Sequence, residues 1–344
     1  MSLITEKLLF DTEKCADTVE FNPFEEVVVV GTYDLNNGVK TGSLHYFKKN
    51  DKCEWFQDLK LNTNAVLDMK WSHNDSDKSI LAVGDVNGLL NFYSDGKLLA
   101  SHSNNRNTIN LSLDWSNRID KSSSPKIVVS ESDGSLSIKN MTSYNVTETL
   151  NFKAHTFEGN LQAEAWIAAF NYHNTNLFYS GGDDANFFGW DLRTKHESGV
   201  TAIQTNPHDE FLLATGSYDE NLRIWDTRYI SSKSEPLTNY HVGDGGVWRV
   251  KWHPIDKTKL LAACMHDGFR ILSVEGILGS FFLNLIILDI AINTIYKYMK
   301  HQSLAYGADW NYFDYRNGKL TVDKDVVGTC SFYDKEFRVW EIIY

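Results

Sequence analysis

Two hairpin-like segments differ at a position that could carry acid–base chemistry. LLAACMHDGFRIL (260–272) and LLATGSYDENLRIW (212–225) share an apolar run, a turn and a second run. The second segment has Asp219 six residues before its last residue, Trp225, whereas the first has His266 six residues before its last residue, Leu272. An imidazole titrates near neutral pH and is therefore a candidate general base. The alternative is that His266 only forms a different turn, with Asp267 in the capping role.

Three aromatic residues recur at one position of a repeated pattern. Trp166, Trp248 and Tyr306 each lie four residues before the end of a short segment of alternating apolar residues, where an innermost strand would begin. Such residues could line one side of a channel mouth, although core packing is the commoner role of aromatics. Arg249 follows Trp248, and Glu164 precedes Trp166 by two residues. Asp183 is a further candidate, because it adjoins Asp184 and one carboxylate of that pair is spare.

The sequence lacks the common catalytic motifs. It contains no GxSxG, GxGxxG, P-loop or HExxH pattern. Cys264, Cys330 and Ser331 are candidate nucleophiles, but small residues at such positions usually pack or form turn hydrogen bonds. From the residues alone, a binding module is favoured over an enzyme.

Composition limits the partners. The formal charge of −12 disfavours nucleic acid and anionic membranes and is compatible with cationic ligands. The cysteines lie far apart, without a metal-ligand spacing: Cys15, Cys53, Cys264 and Cys330. We therefore predict no metal and no cofactor. Reduced thiols and an N-terminus without a signal-peptide apolar region favour a cytoplasmic location.

One apolar stretch approaches the length of a membrane span, ILGSFFLNLIILDIAINTI at 277–295. It contains Asn284, Asp289 and Asn293, and an Asp in the middle of a bilayer is costly. The sequence therefore predicts no membrane association. The stretch is instead a buried strand with an atypical loop, or translated non-coding sequence.

Internal repetition is the dominant pattern of the chain. Alternating segments occur seven times: TVEFNP, LDMKWSH, LSLDWSN, IAAFNY, TAIQTNP, RVKWHP and YGADWNY. We call the residue that ends each alternation its anchor: Phe21, Trp71, Trp115, Phe170, Thr205, Trp252 and Trp310. A hairpin pattern follows each anchor, and a third strand pattern then ends, in the clearest cases, in Trp-Asp.

These units predict an all-β fold. The pattern resembles the WD-repeat β-propeller family across the chain, and seven units imply one seven-bladed propeller domain, residues 1–344. Residues 1–12 have no blade of their own and are predicted to close the ring as an outer strand beside FRVWEI. Residues 273–300 are an atypical apolar insertion.

The WD-repeat resemblance also implies a hydrogen-bonded network of a loop His, a turn Asp and a strand Trp in each blade. The matching histidines are His102, His155, His196, His241 and His301, and the matching turn residues are Asn87, Asp133, Asp184, Asp219 and Asp334. In unit six, His241 would face His266. Two imidazoles cannot form the charge-assisted pair of His and Asp. We therefore expect His266 to turn toward the axial opening.

Longer strings carry a more specific resemblance: FNYHNTNLFYSGGDDANFFGWDLRT, ATGSYDENLRIWDTR, GGVWRVKWHP, LAACMHDGFRIL and HQSLAYGADW. Over about residues 155–310 the chain closely resembles the WD-repeat methylesterase family of the diphthamide pathway. The resemblance implies a carboxylic ester hydrolase. Its substrate would be the methyl ester of methylated diphthine, a modified histidine of translation elongation factor 2. The product, diphthine, would then enter the final ATP-dependent amidation.

This substrate suggests a role for the aromatic residues. Diphthine carries a trimethylammonium group, and aromatic faces together with carboxylates favour such cations. We expect Trp166, Trp248 and Tyr306, with Asp183 or Glu164, to hold the cation.

The same substrate suggests a catalytic role for unit six. We expect His266, aided by Asp267, to activate water toward the ester carbonyl. Arg249 or a backbone N–H would stabilise the oxyanion.

The sequence departs from this family in two places. The link between His155 and Trp166 is longer than the family's, which weakens the assignment of Glu164. The apolar stretch at 277–295 replaces a polar connection and is expected to disturb the fourth strand of blade six. The competing hypothesis is a non-catalytic WD-repeat scaffold that docks partner proteins on its top face.

Overall fold

The computed structural model describes residues 3–73, 79–119, 124–142, 145–190, 192–195 (backbone), 198–228, 235–276, 290–318 and 323–344. The described strands form seven four-stranded antiparallel sheets, each packed against the next in a closed ring. The predicted seven-bladed β-propeller is therefore confirmed. Within those ranges, no helix has the length and apolar character that a membrane span requires.

Strand β1 (Leu3–Asp11) precedes the first blade. Blade one contains β2 (Cys15–Phe21), β3 (Val27–Asn36), β4 (Val39–Lys49) and β5 (Trp55–Asn64). Blade two contains β6 (Val66–Trp71), β7 (Leu81–Asp85), β8 (Leu89–Ser94) and β9 (Lys97–Ser103). Blade three contains β10 (Asn110–Trp115), β11 (Lys126–Glu131), β12 (Ser135–Thr142) and β13 (Asn145–Lys153). A small hairpin follows, formed by β14 (Thr156–Phe157) and β15 (Leu161–Gln162).

Blade four contains β16 (Ile167–Phe170), β17 (Phe178–Gly181), β18 (Asn186–Gly189) and β19 (Leu192–Lys195). Blade five contains β20 (Val200–Thr205), β21 (Leu212–Ser217), β22 (Asn221–Asp226) and β23 (Thr238–His241). Blade six contains β24 (Arg249–Trp252), β25 (Lys259–Ala263), β26 (Phe269–Glu275) and β27 (Ala291–Tyr298). Blade seven contains β28 (Ala305–Trp310), β29 (Lys324–Ser331), β30 (Glu336–Ile343) and the outer strand β1. The described helical turns are Ser116–Arg118, Glu158–Asn160 and the α-helix Tyr312–Arg316.

The anchor tryptophans link neighbouring blades. The indole nitrogen of Trp115 donates a hydrogen bond to the carbonyl of Lys70 in the preceding blade, at 3.0 Å. Trp310 donates in the same way to the carbonyl of Lys251, at 3.0 Å. A buried indole N–H needs a partner, and this partner lies across the blade interface. The repeated aromatic anchor therefore fixes the inner strands around the axis.

Both ends of the chain contribute to blade seven. Strand β1 pairs antiparallel with β30, from Leu3 opposite Ile343 to Asp11 opposite Glu336. Strand β1 therefore covers the outer edge of β30 and completes the four strands of blade seven.

The apolar stretch of blade six is only partly an insertion. Its last residues belong to β27, which pairs with β26, with Glu275 opposite Ala291. The fourth strand of blade six therefore forms, and its irregularity is one register shift between Ile271 and Leu272, as blades one, two and three also show between their third and fourth strands. Residues 277–289 lie outside the described residues.

The predicted blade network forms in part. His155 Nδ1 and Asp184 Oδ1 are 2.8 Å apart, as expected for a structural His–Asp pair. His241 is different, because its ring is exposed and lies 3.8 Å from the Glu220 carboxylate. Strand β23 pairs it with Asn221 of blade five, and no contact with His266 is found among the described residues.

Candidate functional site

Seven inner strands begin at the same end of the axial channel. The residues four before the anchors form a ring there, which we call the mouth ring: Asp17, Leu67, Leu111, Trp166, Thr201, Trp248 and Tyr306. In five blades the pairing of the two innermost strands shifts register beside this position. A β-bulge re-aims the side chain at the extra residue. The ring therefore belongs to the entrance of the channel.

The three predicted aromatic residues lie together in the mouth ring. The ring centroids of Trp166 and Trp248 are 5.8 Å apart, and those of Trp248 and Tyr306 are 4.6 Å apart. All three side chains are half-buried. They therefore leave aromatic surface accessible, as a ligand site requires and a closed core would not.

Sequence reasoning missed three further aromatic residues. Tyr218 and Phe332 directly follow the second strands of blades five and seven, and Tyr33 lies within the second strand of blade one, β3. Tyr218 lies 6.1 Å from Trp248, and Phe332 lies 4.9 Å from Tyr306, between ring centroids. The available signal was an aromatic just ahead of the turn aspartate, in GTYD, GSYD and SFYD. We call these six residues the aromatic rim: Tyr33, Trp166, Tyr218, Trp248, Tyr306 and Phe332.

Two predicted carboxylates adjoin one side of the aromatic rim. The indole nitrogen of Trp166 donates to Asp183 Oδ1 at 2.5 Å. The backbone N–H of Asp183 donates to the carbonyl of Glu164 at 2.9 Å. Burial and the Asp183 charge raise the pKa of Glu164. The hairpin β14–β15 accommodates the long link before Glu164, so this residue still reaches Asp183.

His266 occupies an unusual turn beside the rim. Met265, just before it, has a left-handed φ of +31°, and its carbonyl accepts a hydrogen bond from the backbone N–H of Ala305, at 2.8 Å. The His266 ring is exposed and packs against Gly245, where an added Cβ would lie 3.1 Å from His266 Cδ2. Ala305 directly precedes Tyr306, and Gly245 lies three residues before Trp248. The turn therefore carries the imidazole to the mouth, between two blades of the rim.

Asp267 stabilises the turn of blade six, as the alternative interpretation of this hairpin predicted. Its carboxylate forms ion pairs with Arg270 and Lys297. Burial alone would raise the pKa of Asp267, but the hydrogen bonds from Lys297 and Arg270 outweigh it and lower that pKa. No hydrogen bond joins this carboxylate to His266 among the described residues. The structure therefore does not bring Asp267 to the predicted base.

Arg249 lies one layer below the mouth ring. Its guanidinium is buried, and Nη2 is 3.4 Å from Asp68 Oδ1 across the channel. Deeper in the channel, Lys251 Nζ is 2.6 Å from Glu20 Oε1. The remaining cavity beside Arg249 is about 30 Å³. A space of this size holds little more than a water, so a larger ligand must bind at the mouth.

Blade one contributes Asp17 to the mouth ring, a carboxylate that sequence reasoning also missed. Asp17 is buried and lies at the register shift between β2 and β3. It has the same spacing from its anchor, Phe21, as Trp248 and Tyr306 have from theirs, so the repeat could have revealed it. Blades two and three have leucine at this position.

Comparisons with known proteins agree with this fold and this repeat. A family model described as WD domain, G-beta repeat matches residues 192–226. The diphthine methyltransferase homolog of Dictyostelium discoideum is 35% identical, over 94% of this chain and 96% of that protein. The diphthine methyltransferase of Schizosaccharomyces pombe is 32% identical, over 96% of each. The chain belongs to the diphthine methyltransferase family.

Similarity extends to other members of the diphthine methyltransferase family. The human diphthine methyltransferase is 34% identical, over 89% of this chain and 75% of that protein. A chain in a crystal structure of the mitotic checkpoint complex superposes with a TM-score of 0.70 over 98% of this chain and 94% of that chain. Its sequence is only 15% identical, so it supports the propeller fold alone.

The candidate nucleophiles of this diphthine methyltransferase family member are structural. Burial raises the pKa of the Cys264 thiol to about 12 and that of Cys330 well above its ordinary value. A thiol in such surroundings provides little thiolate. The Ser331 hydroxyl is held between His301 and Asp334. None of the three is poised to attack a substrate at the mouth.

One group of residues in this family member has donor atoms close enough to hold a metal ion: His301, Asp334 and Glu336. The ring nitrogens of His301 already bond to Ser331 and Thr329, and burial lowers the pKa of His301 to about 3. This group is the His–Asp network of blade seven, where the donors stabilise the blade.

Proposed function

We propose that this protein hydrolyses the methyl ester of methylated diphthine on translation elongation factor 2. The products are diphthine and methanol, and diphthine is then available for the final amidation of diphthamide biosynthesis. Membership of the diphthine methyltransferase family supports a role in this pathway. The observation that carries the proposal is the aromatic rim, in which Trp248 lies 5.8 Å from Trp166 and 4.6 Å from Tyr306.

The chemistry of the rim fits the substrate. Diphthine carries a trimethylammonium group, which prefers aromatic faces and nearby carboxylates over bulk apolar surface. Asp183 bonds to Trp166 and Glu164 adjoins it, so negative charge lies beside the aromatic surface. The net charge of −12 also favours a cationic ligand.

His266 is the proposed general base. Its exposed imidazole removes a proton from water, and the water oxygen bonds to the ester carbonyl carbon. The resulting oxyanion is stabilised by a backbone N–H at the mouth, because Arg249 is buried below it beside Asp68. Collapse of this intermediate breaks the bond to methoxide, which leaves as methanol with the proton from the imidazolium. Water is the only co-reactant.

The names of the relatives support a second candidate function, methyl transfer to diphthine. The two reactions run in opposite directions on the same carboxyl group. Hydrolysis removes a methyl group and consumes water, whereas transfer adds a methyl group and needs a methyl donor.

The deciding experiment uses purified protein and elongation factor 2 in its methylated and unmethylated diphthine forms. We expect the methylated form to lose one methyl group by intact mass and to release methanol, without any added donor. In ¹⁸O-labelled water, the new carboxylate should gain one labelled oxygen. The unmethylated form, given S-adenosylmethionine, should keep its mass.

Two results would overturn the hydrolase proposal. A mass gain of the unmethylated factor with S-adenosylmethionine would establish methyl transfer. Tight binding of the methylated factor without methanol release would instead establish the scaffold hypothesis, in which the propeller docks the factor without catalysis.

A further inference from the structure

Asp17 is an outlier in the mouth ring. Blades two and three place Leu67 and Leu111 at this position, and blades six and seven place aromatic rings there. In blade one the position holds a carboxyl group that is only 2% exposed. Ionisable groups are rarely buried to this extent unless they are paired.

The Asp17 carboxyl is incompletely paired. Its Oδ2 is buried, and no described residue donates a hydrogen bond to it. Arg249 attracts the charge, whereas Asp68 repels it. Arg249 is also 3.4 Å from Asp68, which has a closer cation in Lys70, at 2.6 Å. Among the described residues no cation lies within ion-pair distance of Asp17, so this carboxyl lacks a positive partner of its own.

The surroundings of Asp17 belong largely to the aromatic rim. The titratable and charged groups that interact with it come from five blades: Cys15, Tyr33, Asp68, Tyr218, Arg249, Tyr306 and Cys330. Tyr33, Tyr218 and Tyr306 are members of the rim. Asp17 therefore adjoins the aromatic rim, from the mouth-ring position of blade one.

We propose that Asp17 is the anionic floor of the cation site, so that a quaternary ammonium group lies between its carboxylate and the faces of the aromatic rim. The cation is the trimethylammonium group of diphthine, and this identification rests on the proposed function. A quaternary ammonium donates no hydrogen bond, so a free carboxylate oxygen without a fixed donor suits it better than a fully bonded one.

Cation binding at this site is coupled to a proton. Burial raises the pKa of Asp17 to about 8, so the empty site holds mainly the neutral acid at pH 7. A bound cation favours the carboxylate, and the acid proton leaves to solvent. Affinity for the cation therefore rises as the pH increases toward 8 and levels off above it.

The experiment compares two ligands of the same shape. Choline carries the quaternary ammonium, and 3,3-dimethylbutan-1-ol replaces its nitrogen by carbon. Titration calorimetry on the full chain should show that the Kd of choline falls between pH 6 and pH 8, by up to about tenfold per pH unit. The Kd of the neutral alcohol should stay constant. Two buffers of different ionisation enthalpy should report proton release with choline only.

Asp17→Asn supplies the residue-specific test. At pH 8.5 we expect it to raise the Kd of choline by about tenfold or more, to abolish the pH dependence and to leave the alcohol unchanged. Asp244→Asn is the matched control, because it removes an exposed charge from the loop that precedes Trp248. Thermal melts check the fold of both variants, and the pH series on the unmodified chain needs no variant.

The outcomes separate this inference from the proposed function. Choline affinity that is independent of pH, or that survives in Asp17→Asn, overturns the floor role even if methanol release is observed. The expected calorimetry without methanol release supports the cation site and rejects the hydrolase.

Discussion

At the scale of single residues, the turn of blade six differs from that of blade five in the position of its aspartate. In blade five, Asp219 pairs with Arg223, which lies four residues later. In blade six, Asp267 takes the equivalent arginine, Arg270, which lies only three residues later. The carboxylate has moved one position along the turn. His266 is therefore free of the blade network that holds Asp219.

A substitution of His266 should therefore change the activity of the protein without changing its stability. We expect His266→Ala to lower kcat for methanol release by about 10²–10⁴-fold, the usual loss when a general base is removed. The melting temperature should change little, because the ring is exposed. His241→Ala is the matched control, since it removes an exposed imidazole from the neighbouring blade. Full activity of His266→Ala would eliminate the proposed base.

Trp248 tests the cation role of the rim. We expect Trp248→Ala to raise KM by about 3- to 30-fold with a small change in kcat, because one cation–π face is worth about 0.5–2 kcal/mol. Its buried indole nitrogen has no partner among the described residues. Trp248→Phe should therefore retain most of the affinity. A variant that loses only thermal stability, with KM unchanged, would show that Trp248 serves packing.

The sequence predicted some of these residues better than others. The spacing of Trp166, Trp248 and Tyr306 from their anchors was sufficient to predict that they lie together, because equivalent strands of a repeat have the same geometry. Asp267 was uncertain, since the same hairpin length accommodates two turn conformations that differ at Met265. The turn aromatics such as Tyr218 were missed because their direction depends on that conformation.

At the scale of the element, the blade-six turn is held by charge. Asp267 forms ion pairs with Arg270, on β26, and with Lys297, on β27. The carboxylate therefore joins the hairpin to the outer strand.

Removing the Asp267 carboxylate should reduce the stability of the fold. We expect Asp267→Asn to reduce the free energy of unfolding by about 1 kcal/mol, the upper range for partly exposed ion pairs. Because the pKa of Asp267 is lowered in the fold, its stabilisation is present above its unfolded pKa, near 3.9, and is lost as the pH falls further. Thermal melts at pH 7 and at about pH 3 should show the difference shrinking in acid. An equal difference at both values would contradict the ion-pair account.

The sequence predicted those strands whose pattern of apolar residues matches the side chains that are buried in the fold. The anchors located the inner strands, and the Trp-Asp strings located the third strands, since both carry buried aromatics. The hairpin β14–β15 was not predicted, because Phe157 and Leu161 are exposed and give no burial pattern. Strand β27 was obscured by the apolar stretch, although Glu275 and Ala291 pair across it.

At the scale of the whole molecule, the mouth depends on a closed ring. Tyr306 of blade seven and Asp17 of blade one are neighbours in the mouth ring, and β1 joins the two ends of the chain. Glu6 of β1 also pairs with Arg338 of β30, at 2.6 Å. The cation site thus spans the point where the ring closes, so its geometry depends on β1.

The closing strand can be tested with adjacent leucines. Leu8 packs against the core, whereas Leu9 is 52% exposed. We expect Leu8→Asp to reduce the free energy of unfolding by about 1–3 kcal/mol, because it places a charge against apolar side chains. Leu9→Asp should stay within about 0.5 kcal/mol of the unmodified chain. Calorimetric melts measure both. If the Leu8 variant also weakens choline binding at a temperature where it is folded, closure positions Asp17 against Tyr306; equal melting of the two variants would mean that β1 contributes little to the ring.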